Sequence, residues 1–180
     1  MNTVTVKEKI EKMFDIFQTN FGYKNKFAIP KLVKIVVNTG TGSTKDKKKI
    51  EIVQDRLSKI LGQKTAAKEA KKSIASFKLR EGDVVGYSAT LRGHQMYNFL
   101  DKLINIAIPR MRDFQGISRG SIDAMGNLTI GIKEHTIFPE VADEDLKDVF
   151  GFSITIVTTS KIPKETEAFF EQIGIPFVKK

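Results

Sequence analysis

The 180-residue sequence contains no cysteine. Disulfide bonds and thiolate metal sites are therefore excluded, and the chain is indifferent to the redox state of its compartment. No apolar run approaches the ~20 residues that a helix needs to cross a bilayer, so we expect no membrane partner. The first residues mix Lys7, Lys9, Glu8 and Glu11 with apolar residues, which matches neither a signal peptide nor a transit peptide.

Catalytic patterns are also missing. The two histidines, His94 and His135, lie far apart in sequence and belong to neither an H-x-x-x-H nor an H-E-x-x-H pattern. No G-x-S-x-G nucleophile motif occurs. We therefore predict no enzymatic activity, no metal site and no cofactor, with His94 near a helix start and His135 at a strand end.

A glycine-containing turn, residues 38–45, resembles a phosphate-binding loop because it follows a strand and opens a helix. Its spacing fits neither the Walker pattern, since no glycine precedes Lys45 directly, nor G-x-G-x-x-G. Three interpretations stay open: a nucleotide site, a tight turn in which Ser43 or Thr44 caps the helix, and a contact to an RNA phosphate.

Charge is divided unevenly along the chain. Residues 1–93 carry 20 Lys/Arg against 9 Asp/Glu, whereas residues 94–180 carry 10 against 12. An excess of positive charge in one half favours a polyanionic partner, with nucleic acid preferred over membrane. Simple solubility is the alternative explanation.

Hydrophobic periodicity predicts a single α+β domain over residues 1–180, with a basic half 1–93 and an acidic to neutral half 94–180. Helical spacing occurs in residues 4–20, 50–61, 94–108 and from about 163 to 173. Strand patterns occur in residues 32–38, 84–91, 127–133 and 152–158. The order and short spacings predict a largely antiparallel sheet with helices packed on one face and the other face free to meet a partner.

The region 63–83 is the strongest functional signal. Six cations lie within residues 64–80, interleaved with serines and Phe77. Lys and Arg neutralise phosphates, an exposed Phe can stack on an unpaired base, and Ser can bond phosphate or 2′-OH groups. The alternative is an ordinary solvated loop that Phe77 anchors to the core.

The segment 134–148 is acidic, with six Asp or Glu against Lys147 alone. RNA would repel it, so it faces either solvent or a basic protein surface.

Several consecutive motifs resemble the ribosomal large-subunit protein five family, in its bacterial or organellar type. They include Gly62-Gln63-Lys64, residues 70–75, residues 77–82, Thr90-Leu91-Arg92-Gly93, residues 99–107, residues 109–114 and residues 137–140. The resemblance covers residues 30–178 in continuous order. The first 25 residues match poorly, and Ser76, Gln115 and Met125 depart from the family pattern.

The resemblance implies a structural ribosomal protein, in the cytoplasm, that binds 5S rRNA in the central protuberance. Its expected partners are 5S rRNA, 23S-type rRNA, the P-site tRNA, neighbouring large-subunit proteins and the small-subunit head protein thirteen. The implied rRNA-binding residues are Asn38, Gln63, Lys64, Thr90 and Arg92. The implied tRNA-contact loop contains Lys71, Lys72, Ser73, Phe77, Lys78 and Arg80. The implied protein bridge consists of Glu140, Asp143 and Glu144.

Two other functions remain open at this point. One is an RNA-binding or RNA-chaperone module outside the ribosome. The other is a nucleotidase that uses the turn at residues 40–45.

Overall fold

A computed structural model describes residues 5–42, 46–141 and 148–178. Its α-helices are α1 (Val6–Glu11), α2 (Phe14–Phe21), α3 (Lys47–Leu61), α4 (Gly93–Lys102) and α5 (Pro163–Ile173). Its strands are β1 (Leu32–Gly40), β2 (Ala66–Glu69), β3 (Val84–Leu91), β4 (Leu128–Ile132) and β5 (Phe152–Thr158).

The five strands form one antiparallel sheet in the order β2-β3-β1-β5-β4. Side chains alternate along the strands: Leu128, Ile130 and Ile132 of β4 are buried, while the residues between them are exposed. Strand β5 alternates in the same way. A sheet with one covered and one open face produces this alternation, and the predicted α+β class is confirmed.

Two compact units make up the chain. Unit 1 comprises residues 1–35, 92–130 and 155–180, and unit 2 comprises residues 36–91 and 131–154. In unit 1, α1 contacts both α4 and α5. In unit 2, α3 packs on β3 and buries Val53, Leu57 and Ile60.

Both ends of α3 illustrate how local sequence determines an element. Asp46 caps the first turn by accepting a hydrogen bond from the amide of Lys48 at 3.0 Å. Gly62 ends the helix with φ of 64°, a left-handed conformation that glycine adopts without a Cβ penalty. The predicted helix and its glycine stop are confirmed, but Asp46 is the N-cap instead of Ser43 or Thr44, which lie outside the described residues.

The predicted helix over residues 4–20 is interrupted at Lys12 and Met13. Tertiary bonds within unit 1 hold the short first piece: the amide of Val6 donates to Asp101 Oδ1 at 2.8 Å, and Lys9 Nζ donates to the Ile173 carbonyl at 2.9 Å. Such contacts outweigh the weak local preference for a continuous helix. The third predicted helix instead continues past α4 as a π turn, Leu103–Ala107.

Candidate RNA interface

The open sheet face of unit 2 carries polar side chains. Asn38 on β1 and Thr90 on the neighbouring strand β3 are both exposed, while Val37, Thr39, Ala89 and Leu91 beside them are buried. The side chains of Asn38 and Thr90 make no hydrogen bond to any described residue. Their donors and acceptors are therefore available to an external partner.

Gln63 and Lys64 lie between the C-terminus of α3 and the start of β2. Gln63 is half-buried and Lys64 is exposed. Strand β2 pairs antiparallel with β3 through Ala66 opposite Ser88. Lys64 precedes β2 by two residues, and Thr90 follows Ser88 by two residues on β3.

Arg92 follows β3 directly, in an extended conformation at the N-cap position of α4. Its side chain is exposed and does not cap the helix. The guanidinium makes no ion pair with a described residue, so its donors are free to bind a phosphate or a base edge.

The predicted basic loop is the long connection between β2 and β3. Short backbone contacts stiffen it: Ile74 and Leu79 bridge each other, and the amides of Ala70 and Gly82 donate to the carbonyls of Asp83 and Ala70 at 2.8 and 3.0 Å. The cations that it exposes are Lys71, Lys72, Lys78 and Arg80.

Phe77 is 69% exposed. It therefore does not anchor the loop to the core, which removes the structural role that the solvated-loop alternative gave it. Ser73 differs from its neighbours because its Oγ accepts a hydrogen bond from the Glu81 amide at 2.9 Å. Ser73 thus stabilises the loop's own conformation, and its O–H and second lone pair remain for another partner.

The turn that resembles a phosphate-binding loop, residues 38–45, leads into α3. The N-terminus of α3, where an anion would bind, is occupied by the carboxylate of Asp46. Asp46 caps α3 and places negative charge at the helix N-terminus. The positive end of a helix attracts anions only while that position is unoccupied. This arrangement disfavours the nucleotide interpretation; Ser43, Thr44 and Lys45 lie outside the described residues.

The acidic segment is described only in part. Glu140 lies in an exposed position of a 3₁₀ turn, Pro139–Val141, and Asp148 pairs with Lys49 at 3.2 Å. Asp143 and Glu144 lie outside the described residues. The Asp148 carbonyl accepts a hydrogen bond from buried Arg56 at 3.2 Å, so this end of the segment is held by unit 2.

His135 is buried, and its Nε2 lies 3.2 Å from Arg56 Nη1. Its ring stacks on Phe150 with centroids 4.3 Å apart. The histidine thus belongs to packing around the 3₁₀ turn His135–Ile137, three residues after β4 ends. His94 is exposed in the first turn of α4, as its predicted position near a helix start requires.

Two serines on the open face of unit 2 were not among the predicted RNA-binding residues. Ser88 lies on β3 between buried Tyr87 and Ala89, and Ser153 lies on β5 between buried Phe152 and Ile154. Ser153 Oγ donates to the Asn38 carbonyl at 3.4 Å. Alternation in residues 87–91 of β3 and along β5 was the signal that could have identified them.

Within the described ranges, no cluster of three or more His, Cys, Asp or Glu residues could hold a metal ion. None of the helices in those ranges is both long and apolar enough to cross a membrane. A polar sheet face and a basic loop are features typical of proteins that bind a polyanion such as RNA.

Comparison with known proteins identifies the family. A family model for ribosomal protein L5 matches residues 25–80, and the model for the C-terminal part of the same ribosomal family matches residues 84–177. The large ribosomal subunit protein uL5 of Malacoplasma penetrans is 53% identical over 160 residues, covering 88% of this chain and 86% of that protein. The uL5 protein of Thermoanaerobacter sp. is 46% identical over 176 residues, covering 97% and 98%.

This chain belongs to the ribosomal protein L5 family. The expectations of a ribosomal protein and of a protein without enzymatic activity are confirmed by that membership. The nucleotidase is thereby excluded, and the non-ribosomal module loses its support.

Proposed function

We propose that this protein is a structural constituent of the large ribosomal subunit that binds 5S rRNA in the central protuberance. The observation that carries the proposal is the open polar face of unit 2, where Asn38 and Thr90 present unpaired polar groups on neighbouring strands. The relatives are named as large ribosomal subunit proteins, which supports the assembly.

The chemistry of this surface suits a folded RNA. Amide and hydroxyl groups bond sugar 2′-OH groups and phosphates, which a flat polar sheet can reach across a shallow minor groove. Lys64 supplies a cation on this unit, and Arg92, the first residue of unit 1 after β3, supplies another that can neutralise a phosphate. Binding then consists of phosphate neutralisation, 2′-OH contacts and shape fit, with no reaction.

The double substitution Asn38→Ala and Thr90→Ala tests the face of unit 2. We expect it to weaken 5S rRNA binding by about 10- to 100-fold, because each lost hydrogen bond has a net value of ~0.5–1.5 kcal/mol and the substitutions remove two polar groups. Filter binding at fixed salt measures the effect. The matched control is Gln18→Ala with Asn20→Ala, two exposed polar residues of α2; equal affinity of both double variants would refute the face.

We further propose that the basic loop contacts the P-site tRNA. Its support is the exposure of Phe77 together with Lys71, Lys72, Lys78 and Arg80 on a loop separate from the polar face. The ring offers a stacking surface and the cations attract phosphate.

Charge reversal separates the two surfaces. Lys71→Glu with Lys72→Glu should leave 5S rRNA affinity within about twofold and disturb tRNA placement, because like charges repel phosphates. Filter binding and tRNA footprinting on the variant ribosomes measure the two effects. The control is Lys7→Glu with Lys12→Glu, both exposed at α1; loss of 5S binding only in the loop variant would mean that the surfaces are assigned wrongly.

The remaining expectations complete the proposal. We expect Glu140, Asp143 and Glu144 to face the basic small-subunit head protein thirteen, with 23S-type rRNA and neighbouring large-subunit proteins as further contacts. Exposure of Glu140 supports the first of these. Co-sedimentation with large subunits in moderate salt tests the assembly; recovery only in ribosome-free fractions would favour the non-ribosomal RNA-binding alternative.

A further inference from the structure

The turn between α2 and β1 exposes an aromatic ring. Phe27 is 80% exposed, the highest value among the large hydrophobic side chains of the described residues. Burying a Phe side chain stabilises a protein by ~1.5–3 kcal/mol, and this one remains in solvent. A single exposed Phe is by itself ordinary, so the inference depends on how the ring is held and on what surrounds it.

The ring is held on a fixed turn. Asn25 Oδ1 accepts a hydrogen bond from the Phe27 amide at 2.9 Å, and the Asn25 carbonyl accepts one from the amide of Ala28 at 3.0 Å. The flanks are tied to other parts of unit 1. Tyr23 donates to Glu165 at 2.7 Å, and Lys31 exchanges two hydrogen bonds of 2.9 Å with Thr159.

Positive charge surrounds the ring. Lys31 Nζ lies 5.0 Å from the centroid of Phe27, within cation–π range, and most of the side chain is still exposed. Lys24 and Lys26 are exposed in the same turn. No Asp or Glu occurs in residues 16–45, and the nearby carboxylate of Glu165 is engaged by Tyr23.

We propose that Phe27 stacks on an unpaired base of ribosomal RNA, while Lys24, Lys26 and Lys31 bind the flanking phosphates. An aromatic ring between cations matches a base and its phosphates, because every base has a π face and every nucleotide a negative charge. A lipid surface would require more apolar area than this turn offers, since Ile29 and Pro30 are buried. The proposal rests on the ribosomal assignment but not on the sheet face, which belongs to unit 2.

Photocrosslinking in assembled ribosomes tests the contact. Phe27 is replaced by the photoreactive analogue p-benzoylphenylalanine, and the ribosomes are irradiated. We expect a crosslink to an unpaired nucleotide of ribosomal RNA. The same analogue at Ile106, 41% exposed in the π turn, is the control for nonspecific reaction. A crosslink to protein, to a fully paired helix or to nothing above the Ile106 background would overturn the proposal.

Substitution separates stacking from hydrophobic contact. Affinity for large subunits depleted of this protein should fall about 5- to 100-fold for Phe27→Leu, the range expected for a lost base–aromatic stack. Phe27→Tyr should stay within about twofold of the unchanged protein. Equal losses for Leu and Tyr, or no loss for either, would argue against stacking.

The result is independent of the sheet-face test. If Asn38→Ala with Thr90→Ala leaves 5S rRNA binding unchanged while Phe27 crosslinks to RNA, the proposed face fails and this contact stands. If the sheet-face variant weakens 5S rRNA binding while Phe27 gives no crosslink to RNA, only the Phe27 contact is refuted.

Discussion

Tyr23 joins the exposed turn to α5 through one hydrogen bond, and its ionisation is coupled to that bond. Burial, followed by the hydrogen bond to Glu165 and the charge of Glu165, raises the pKa of Tyr23 from 10.0 to about 12. The neutral phenol is thus the form that the folded protein favours. Its stabilising effect is complete below pH 10 and is lost as the pH rises toward 12.

Tyr23→Phe should therefore show a distinct pH profile. At pH 7 the variant loses a hydrogen bond to a charged acceptor and is destabilised by about 1.5 kcal/mol, the low end for such bonds because the pair is only partly buried. Between pH 10 and 12 the difference from the unchanged protein should shrink, because the phenolate in the unchanged protein is repelled by Glu165. Urea unfolding at a series of pH values measures both.

Burial and then the charge of Glu51 raise the pKa of Tyr87 as well. Tyr87 is present in both proteins, so its effect cancels in the difference between their free energies of unfolding. A difference that stays constant from pH 7 to 12 would show that Tyr23 does not carry this dependence.

At the residue scale the sequence indicated some roles and concealed others. The exposed cations of the basic loop follow from the local scarcity of apolar residues. Buried Arg56 does not, because an arginine on a helix is usually solvated. Its partners include His135 and the Asp148 carbonyl, both distant in sequence. The sequence alone did not decide whether Phe77 is buried in the core or exposed on the basic loop; the structure shows it exposed.

At the element scale the strand patterns predicted most of the sheet. The predicted strands 84–91 and 152–158 coincide with β3 and β5. Strand β2 was predicted only as short extended pieces, since Ala66–Glu69 lies fully exposed and offers no alternation to detect. The break between α1 and α2 was not predictable, because the bonds that hold α1 come from residues far along the chain, Asp101 and Ile173.

Strand β3 requires a glycine at position 86 because β1 lies close to its backbone there. A Cβ at this position would collide with the Thr39 carbonyl of β1. Gly86→Ala should therefore push the two strands apart and destabilise the protein by ~1–3 kcal/mol, the usual cost of overpacking. The loss is measured as a lower urea midpoint with an unchanged m-value.

Gly131 provides the matched control on β4. A Cβ there meets no atom within 4 Å, and Gly131→Ala should be neutral or stabilising by ~0.4–1 kcal/mol through the unfolded chain. If both variants were destabilised equally, the close approach of β3 and β1 would not be the cause.

At the scale of the whole molecule, charge follows sequence halves but not structural units. Unit 1 carries 16 Lys/Arg against 9 Asp/Glu, and unit 2 carries 14 against 12. The basic half 1–93 is shared between the units, and the acidic residues 134–148 reduce the net charge of unit 2. The sequence indicated a polyanionic partner, while the distribution of cations over surfaces required the fold.

Salt dependence should show which cations meet 5S rRNA. Each phosphate contact contributes ~0.7–0.9 to the slope of log affinity against log salt. Lys64→Gln should therefore reduce the slope by about that amount, whereas Lys71→Gln should leave it unchanged. Filter binding from low to moderate salt gives both slopes; an equal reduction for the two variants would contradict separate surfaces.

Neither unit is continuous along the chain, and this determines the order in which the protein can fold. Strand β1 is divided between residues 35 and 36, and the second segment of unit 2, residues 131–154, contains the end of β4 and the beginning of β5. During synthesis β1 therefore emerges long before β5, its neighbour in the sheet. Until β5 is made, the edge of β1 that pairs with β5 has no partner. Folding dominated by such distant pairings is slow and leaves strand edges open to aggregation. A newly made chain thus keeps this edge of β1 exposed until residues 152–158 have been synthesised.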